Sequence, residues 1–190
     1  MSRSVLAVDI GSSTLKAVLI GEDGTMLSAA SAPIATAAGA DGSRTQSPDD
    51  WWDAFRAAVS ELPHRDKAVA LVLAGSMQNL IVLAPDARPQ VPAVLYSDRR
   101  LDEDELAALQ RRLPADYAAR VGNRVDPAHT ILKLMALDRF VGEGRAAGTR
   151  FFFGAKDAVT FRLTGRAAVD PTVASTTGLM NLAERAWDPA

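Results

Sequence analysis

The sequence has 190 residues, of which 48% are hydrophobic and 23% are charged, proportions typical of one globular domain and not of a disordered or fibrous chain. A net charge of -2 argues against a nucleic-acid partner, and the absence of cysteine excludes disulfides and thiolate metal sites. No apolar run approaches the length of a membrane helix, so we expect a cytoplasmic protein with no membrane partner.

The N-terminal part of the chain has the pattern of consecutive β-strands. Three apolar runs, residues 5–10, 15–20 and 25–33, contain β-branched side chains. The connections at 11–14 and 21–24 are rich in Gly, Ser and Asp, which tolerate tight turns. The pattern predicts an antiparallel meander.

The next elements are a loop, a helix and a buried strand. Residues 34–46 show little periodicity and predict a surface loop. Ser47 followed by proline predicts a helix over 48–62, because proline is favoured at the first helical position. The continuous apolar run at 68–74 predicts a strand that is buried on both faces and parallel to the first strand.

The second half of the chain is predicted to be mainly helical. Residues 80–84 and 91–96 flank a turn-rich segment and predict a hairpin. Amphipathic patterns predict helices at 101–113 and 130–141. The remaining predictions are a short buried strand at 151–153, a helix at 156–163 that ends at Thr164-Gly165, and an irregular tail at 170–187.

The strongest chemical signal is the turn after the first strand, which runs from an acid to a cation. Its members are Asp9, Gly11, Ser12, Ser13, Thr14 and Lys16. Glycine lets the backbone approach an anion, N–H and hydroxyl groups donate to phosphate oxygens, and lysine offsets their charge. Asp9 is the candidate Mg²⁺ ligand, since Mg²⁺ often bridges one carboxylate and nucleotide phosphates. Taken without their context, these residues are explained equally well by a hairpin turn that has no binding role.

The order of elements resembles the actin-like, ribonuclease-H-like ATPase domains. The implied fold class is α/β, with a mixed sheet that opens with a three-strand antiparallel meander and has helices on both faces. A P-loop protein is disfavoured because the Walker pattern is absent, and a Rossmann domain because no Gly-x-Gly-x-x-Gly turn joins a strand to a helix.

Within that superfamily the chain resembles the FGGY carbohydrate kinases along nearly its whole length, and most closely those that act on xylulose. The similar segments, in order, are the turn at 9–16, Trp51-Trp52, Gly75-Ser76-Met77-Gln78, the segment 95–100, Lys156-Asp157 with Leu163-Thr164-Gly165, and Asp170 with Ala174-Ser175-Thr176. Any one of them is weak evidence, whereas their shared order is strong.

The resemblance implies an ATP- and Mg²⁺-dependent kinase that phosphorylates a hydroxyl of a sugar or polyol, such as the ketopentose xylulose. It assigns the turn at 9–16 to the nucleotide and places Met77, Gln78, Tyr96 and Asp98 against the sugar. Two positions depart from the family pattern. Gln78 stands where xylulose kinases carry His, and Tyr96 where the family has Trp, so another ketose or a polyol remains an alternative substrate.

The resemblance also implies that residues 1–190 form an incomplete N-terminal domain. The catalytic base is expected beyond Ala190, the C-terminal domain is absent from this chain, and the chain alone is expected to be inactive. The alternative is a stand-alone, non-catalytic module of the same fold that binds a sugar or a protein. A chaperone-like or cell-division ATPase is disfavoured by the matches to the family's sugar-contacting positions, above all residues 75–78, the sugar segment. The sequence leaves the choice between monomer and homodimer open.

Overall fold

The computed structural model describes residues 3–142 and 147–189. The strands are β1 (Ser4–Ile10), β2 (Thr14–Gly21), β3 (Met26–Pro33), β4 (Ala37–Ala38), β5 (Arg44–Gln46), β6 (Ala68–Gly75), β7 (Ile81–Leu83), β8 (Ala93–Val94), β9 (Arg150–Phe152), β10 (Met180–Asn181) and β11 (Ala186–Trp187). The helices are α1 (Pro48–Glu61), α2 (Glu103–Gln110), α3 (Tyr117–Val121), α4 (Thr130–Met135), α5 (Leu137–Val141), α6 (Ala155–Thr164) and α7 (Pro171–Ser175). Within the described ranges no helix is long and apolar enough to span a membrane.

The main sheet contains the meander that the sequence predicts. β1 pairs antiparallel with β2, and β2 pairs antiparallel with β3. β6 joins the other side of β1 in parallel, as expected, and the strand order is β3-β2-β1-β6. The sheet is therefore mixed, and its parallel pair brings the carboxyl ends of β1 and β6 to the same edge.

Helices α1 and α6 both cover one face of this sheet. α1 begins where predicted, because the Ser47 side chain accepts a hydrogen bond from the Asp49 N–H and Pro48 occupies the first turn. Apolar side chains of both helices pack with alternate residues of the strands to form the main core. These residues include Leu6, Val8, Ile10, Leu15, Ala17, Leu19, Trp51, Phe55, Ala58, Ala155, Ala158 and Val159.

The opposite face of the sheet is open in the described part of the chain, which corrects two expectations. Helices were expected on both faces, and β6 was expected to be buried on both faces. Val72, which pairs with Ala7 on the open face, is instead 56% exposed. Because β6 has a strand neighbour on one side only, its apolar sequence does not lead to burial here. An apolar run shows which residues favour burial, but not whether another element is present to cover them.

A pair of matched substitutions tests this difference between the faces. Val8→Thr is expected to lower the free energy of unfolding of the chain by about 2 kcal/mol, because it places a hydroxyl in the core. Val8 is 3% exposed. Val72→Thr is expected to change the same quantity by less than about 0.5 kcal/mol, since threonine keeps the β-branch and the site is half in solvent. If urea denaturation gives the same loss of unfolding free energy for both variants, the open face is covered in solution.

The predicted loop is corrected, and the predicted hairpin is confirmed in part. The loop at 34–46 contains the short strands β4 and β5, and β5 pairs with β8. The predicted pairing of 80–84 with 91–96 is present as an irregular antiparallel contact, with bridges from Leu80 to Val94 and from Leu83 to Pro89, and β7 also pairs with β9. Pairing with a strand that is distant in sequence is thus added to the local pairing that the turn-rich connector favours.

The helical half differs in its boundaries. The predicted helix at 101–113 shortens to α2, which Asp102 and Glu105 begin with a reciprocal capping box. The predicted helix at 130–141 is interrupted at Ala136 and forms α4 and α5. The helix predicted at 156–163 is confirmed as α6 and ends at Gly165, whose φ is 70°. The tail predicted as irregular contains α7, β10 and β11, and α3 was not predicted.

Candidate functional site

The turn between β1 and β2 is tightly constrained. A Cβ atom on Gly11 would lie 2.8 Å from the Thr14 carbonyl oxygen, so only glycine fits there. The turn carbonyls face inward, since the Gln46 amide donates to Ser12 O at 2.6 Å and the Ile34 N–H donates to Ser13 O at 2.9 Å. Among the hydrogen bonds found outside the strands of the described residues, none uses an N–H of this turn as donor. The turn therefore offers donors to an anion.

Gln46 holds this turn, and sequence reasoning missed it. Its side chain is 2% exposed, and it accepts a hydrogen bond from Trp51 Nε1 at 2.8 Å while donating to Ser12 O. Gln46 also donates to the Thr36 hydroxyl at 2.8 Å. The only signal in the sequence was a polar residue directly before the Ser47 helix cap. These buried hydrogen bonds therefore anchor the turn to the N-terminal end of α1 through Trp51.

Asp9 and Lys16 lie on the open face of the sheet at the base of the turn. They are register partners across β1 and β2, and both side chains are exposed. Among the described residues there is no cluster of three or more side chains suited to hold a metal. One carboxylate beside a phosphate-binding turn is nevertheless a fitting arrangement for Mg²⁺, which keeps several water ligands and shares the phosphates.

The segment after β6 lies beside this turn, because β1 and β6 are parallel and end together. The Ser76 N–H donates to the Ile10 carbonyl oxygen at 3.0 Å. Met77 is 37% exposed, so it is not a core residue. Gln78 has a φ of 62°, in the left-handed region that residues other than glycine seldom adopt. Strained backbone of this kind is common at functional sites.

Asn79 joins this segment to Tyr96. Its amide oxygen accepts a hydrogen bond from the Tyr96 N–H at 3.1 Å, and its amide nitrogen donates to the Ser76 hydroxyl at 3.1 Å. Asn79 is fully buried, whereas Tyr96 is 41% exposed. The structure thus brings Met77, Gln78 and Tyr96 into one neighbourhood, and Asn79, which sequence reasoning missed, connects them.

Asp98 lies in a buried ion pair. Its carboxylate accepts hydrogen bonds from the Arg44 N–H at 2.8 Å and from two nitrogens of the Arg100 guanidinium, the shorter at 2.8 Å. Burial acts to raise the pKa of Asp98, but hydrogen bonds from Arg100 and Arg44 outweigh burial and hold this pKa below its usual value. Because both oxygens are engaged, Asp98 ties β5 to the Tyr96 segment, and its predicted contact with the sugar stays a prediction.

Lys156 lies between two carboxylates at the start of α6. Its ammonium group is 2.5 Å from an oxygen of Asp157 and 2.5 Å from an oxygen of Asp170. Burial raises the pKa of Asp157, and the charge of Lys156 opposes that rise. The neighbouring Ala155 N–H donates to Ser76 O at 2.9 Å. This ion cluster therefore supports the segment after β6 from the α6 side.

His129 and Lys133 are buried residues that the sequence did not single out for the site. His129 is 1% exposed, and it accepts a hydrogen bond from the Asp126 N–H at 2.9 Å. Burial lowers the pKa of His129, against the opposing effect of Asp126. The signal for Lys133 was a lone cation inside an apolar helical run.

Comparison with known proteins agrees with the geometry. The model of the FGGY family of carbohydrate kinases, N-terminal domain, matches residues 4–190. The chain belongs to the FGGY family of carbohydrate kinases. The family resemblance seen in the sequence is thereby confirmed.

Relatives of this FGGY chain include kinases for different substrates. It is 28% identical over 185 residues to the xylulose kinase of Escherichia coli, covering 96% of this chain and 38% of that protein. It is 30% identical over 197 residues to the glycerol kinase of Thermus brockianus, covering 98% of this chain and 40% of that protein. The chain thus spans about two fifths of the length of these relatives.

A solved structure shows the same fold. The xylulose kinase of Rhodospirillum rubrum superposes with a TM-score of 0.87 at 27% identity, over 98% of this chain and 39% of that one. The likeness to such sugar kinases confirms the predicted α/β class, ribonuclease-H-like and related to the actin-like ATPases.

Proposed function

We propose that the protein containing this chain transfers the γ-phosphate of MgATP to a hydroxyl of a sugar or polyol, with a ketopentose such as xylulose as the first candidate. The observation that carries the proposal is the shared edge of β1 and β6. There the anion-accepting turn and the segment of Met77 and Gln78 lie side by side, joined by the hydrogen bond from Ser76 to Ile10. A phosphate donor and a hydroxylated acceptor need such adjacent sites.

The residues of the turn fit a nucleotide with its metal. Gly11 permits the tight turn, because a Cβ there would clash with the Thr14 carbonyl oxygen, and Ser12, Ser13 and Thr14 supply N–H and hydroxyl donors. Lys16 offsets negative charge, and Asp9 would hold Mg²⁺. When bound, MgATP supplies the phosphoryl group and the metal charge that stabilises its transfer. The chain's own part is to bind the phosphates and to orient the acceptor hydroxyl toward them.

We propose that Gln78 of the sugar segment and Tyr96 select the acceptor. Relatives named xylulose, glycerol and gluconate kinases match the chain at similar identity, so the family alone does not select the acceptor. The Gln78 amide both donates and accepts hydrogen bonds without titrating, and the Tyr96 side chain, which is 41% exposed, ends in a hydroxyl. We propose that both residues contact acceptor hydroxyls. The catalytic base and the second lobe would come from a segment that follows residue 190.

The test is a coupled assay of ADP formation by the full-length protein with a panel of ketopentoses, glycerol and gluconate. We expect ADP formation above the sugar-free background with at least one acceptor, and ketopentoses to give the highest kcat/KM. Residues 1–190 alone are expected to give none, because water exclusion in such sites depends on closure of two lobes. Sugar binding by calorimetry without ADP formation in the full-length protein would overturn the kinase proposal and favour a binding module.

A further inference from the structure

Lys133 is a buried cation with no carboxylate partner among the ion pairs of the described residues. Its side chain is 1% exposed. Burial lowers the pKa of Lys133 to about 8, against the opposing charges of Asp98 and Asp126, while Arg99 lowers this pKa further. A lysine in such a place costs folding free energy, so its contacts must compensate for burial.

Both of its hydrogen bonds go to backbone carbonyls. The Lys133 ammonium group donates to Ala128 O at 2.6 Å and to Gln78 O at 3.2 Å. One turn earlier on the same face of α4, the Thr130 hydroxyl donates to Asn79 O at 3.4 Å. Successive carbonyls of the segment after β6 are thus held by one helix.

The segment that α4 holds contains the strained residue. Gln78, with its φ of 62°, has a conformation that costs about 1 kcal/mol or more and persists only where neighbours impose it. The other side of the segment is fixed separately, since Asn79 N–H donates to Phe153 O at 3.0 Å and Ser76 O accepts from Ala155 N–H. Without the bond from Lys133, the carbonyl of Gln78 would lose its fixed direction.

We propose that Lys133 is a positioning residue that imposes the left-handed backbone of Gln78 and thereby aims Met77 and Gln78 at the acceptor. The effect on the acceptor rests on the proposed function. The hydrogen bond from Lys133 and the backbone of Gln78 do not depend on that function. A cation suits the role because it donates to two carbonyls at once, and its four-carbon stem reaches them from within an apolar helix.

The experiment compares Lys133→Met with the unchanged full-length protein by two independent measurements. Methionine keeps most of the volume and removes the donors. Hydrogen–deuterium exchange of a peptide containing Asn79 is expected to become about tenfold faster or more, as loss of a charged hydrogen bond implies, while peptides of β1 and β2 are unchanged. The KM for the acceptor is expected to rise about tenfold, with the KM for ATP unchanged.

A second substitution tests the role of the strain. Asn tolerates positive φ better than Gln, so in a Gln78→Asn background Lys133→Met is expected to accelerate exchange by a smaller factor. If no panel sugar is a substrate, the proposed function fails while the exchange measurement still decides this inference. If Lys133→Met does not fold, Lys133→Gln, which removes the charge but keeps an amide donor, must accelerate exchange of the Asn79 peptide by a smaller factor. Unchanged exchange in every folded variant overturns the inference.

Discussion

The Asp9→Asn substitution is expected to lower kcat/KM of the full-length protein for its acceptor by about 100- to 1000-fold, the loss typical of removing one charge-stabilising group. Asn keeps the shape of the side chain but not the charge that would hold Mg²⁺ beside the turn. Because Asp9 is exposed, the free energy of unfolding is expected to change by less than about 0.5 kcal/mol. Steady-state kinetics and urea denaturation measure the two quantities.

The matched control is Glu22→Gln, which removes an exposed carboxylate in the turn between β2 and β3, at the opposite end of the meander. Its kcat/KM is expected to equal that of the unchanged protein. Raising the Mg²⁺ concentration is expected to restore part of the lost activity of Asp9→Asn, since the metal then binds through the nucleotide phosphates alone. Near-normal turnover of Asp9→Asn at low Mg²⁺ would show that Asp9 does not hold the metal.

The Lys156→Met substitution is expected to lower the free energy of unfolding of the chain by about 3 kcal/mol at pH 7. The reason is that the Asp157 carboxylate, 3% exposed and without a hydrogen-bond partner for Oδ2, would lose the ammonium group at 2.5 Å. Burial acts to lower the pKa of Lys156, but hydrogen bonds to Asp157 and Asp170 outweigh burial and raise it. Urea denaturation of the variant measures the loss.

The pH dependence of this loss follows from the pKa of Asp157. Burial raises that pKa, and without Lys156 the rise is larger, so the folded variant binds a proton more readily than its unfolded chain. The loss is therefore expected to be smallest below the unfolded pKa of about 3.9 and to grow as pH rises to neutrality. Arg56→Met is the control, because its ion pair with Asp53 is exposed and contributes at most about 0.5 kcal/mol. Equal losses for both variants would contradict the role of the buried cluster.

Local features were predictable from the sequence. The meander, α1 and α6 rest on turn chemistry, capping and short-range periodicity, and these act between residues a few positions apart. The turn at Gly11 was found for the same reason, since its glycine, hydroxyls and flanking charges are contiguous. The structure supports its donor-rich geometry and shows why residue 11 must be glycine.

The additional partner of β7 and the exposure of β6 were decided by tertiary structure. The turn-rich connector after β7 predicts the local antiparallel contact but not the pairing of β7 with β9, and the apolar sequence of β6 does not reveal how exposed this strand is. The groups that support the sugar segment and the turn at 9–16 were missed for the same reason. Lys133 contacts Gln78 across 55 positions of sequence, and Gln46 contacts Ser12 across 34. Local patterns determined which elements form and predict where an anion would bind, whereas hydrogen bonds between distant segments, which only packing brings together, decided how the candidate site is held.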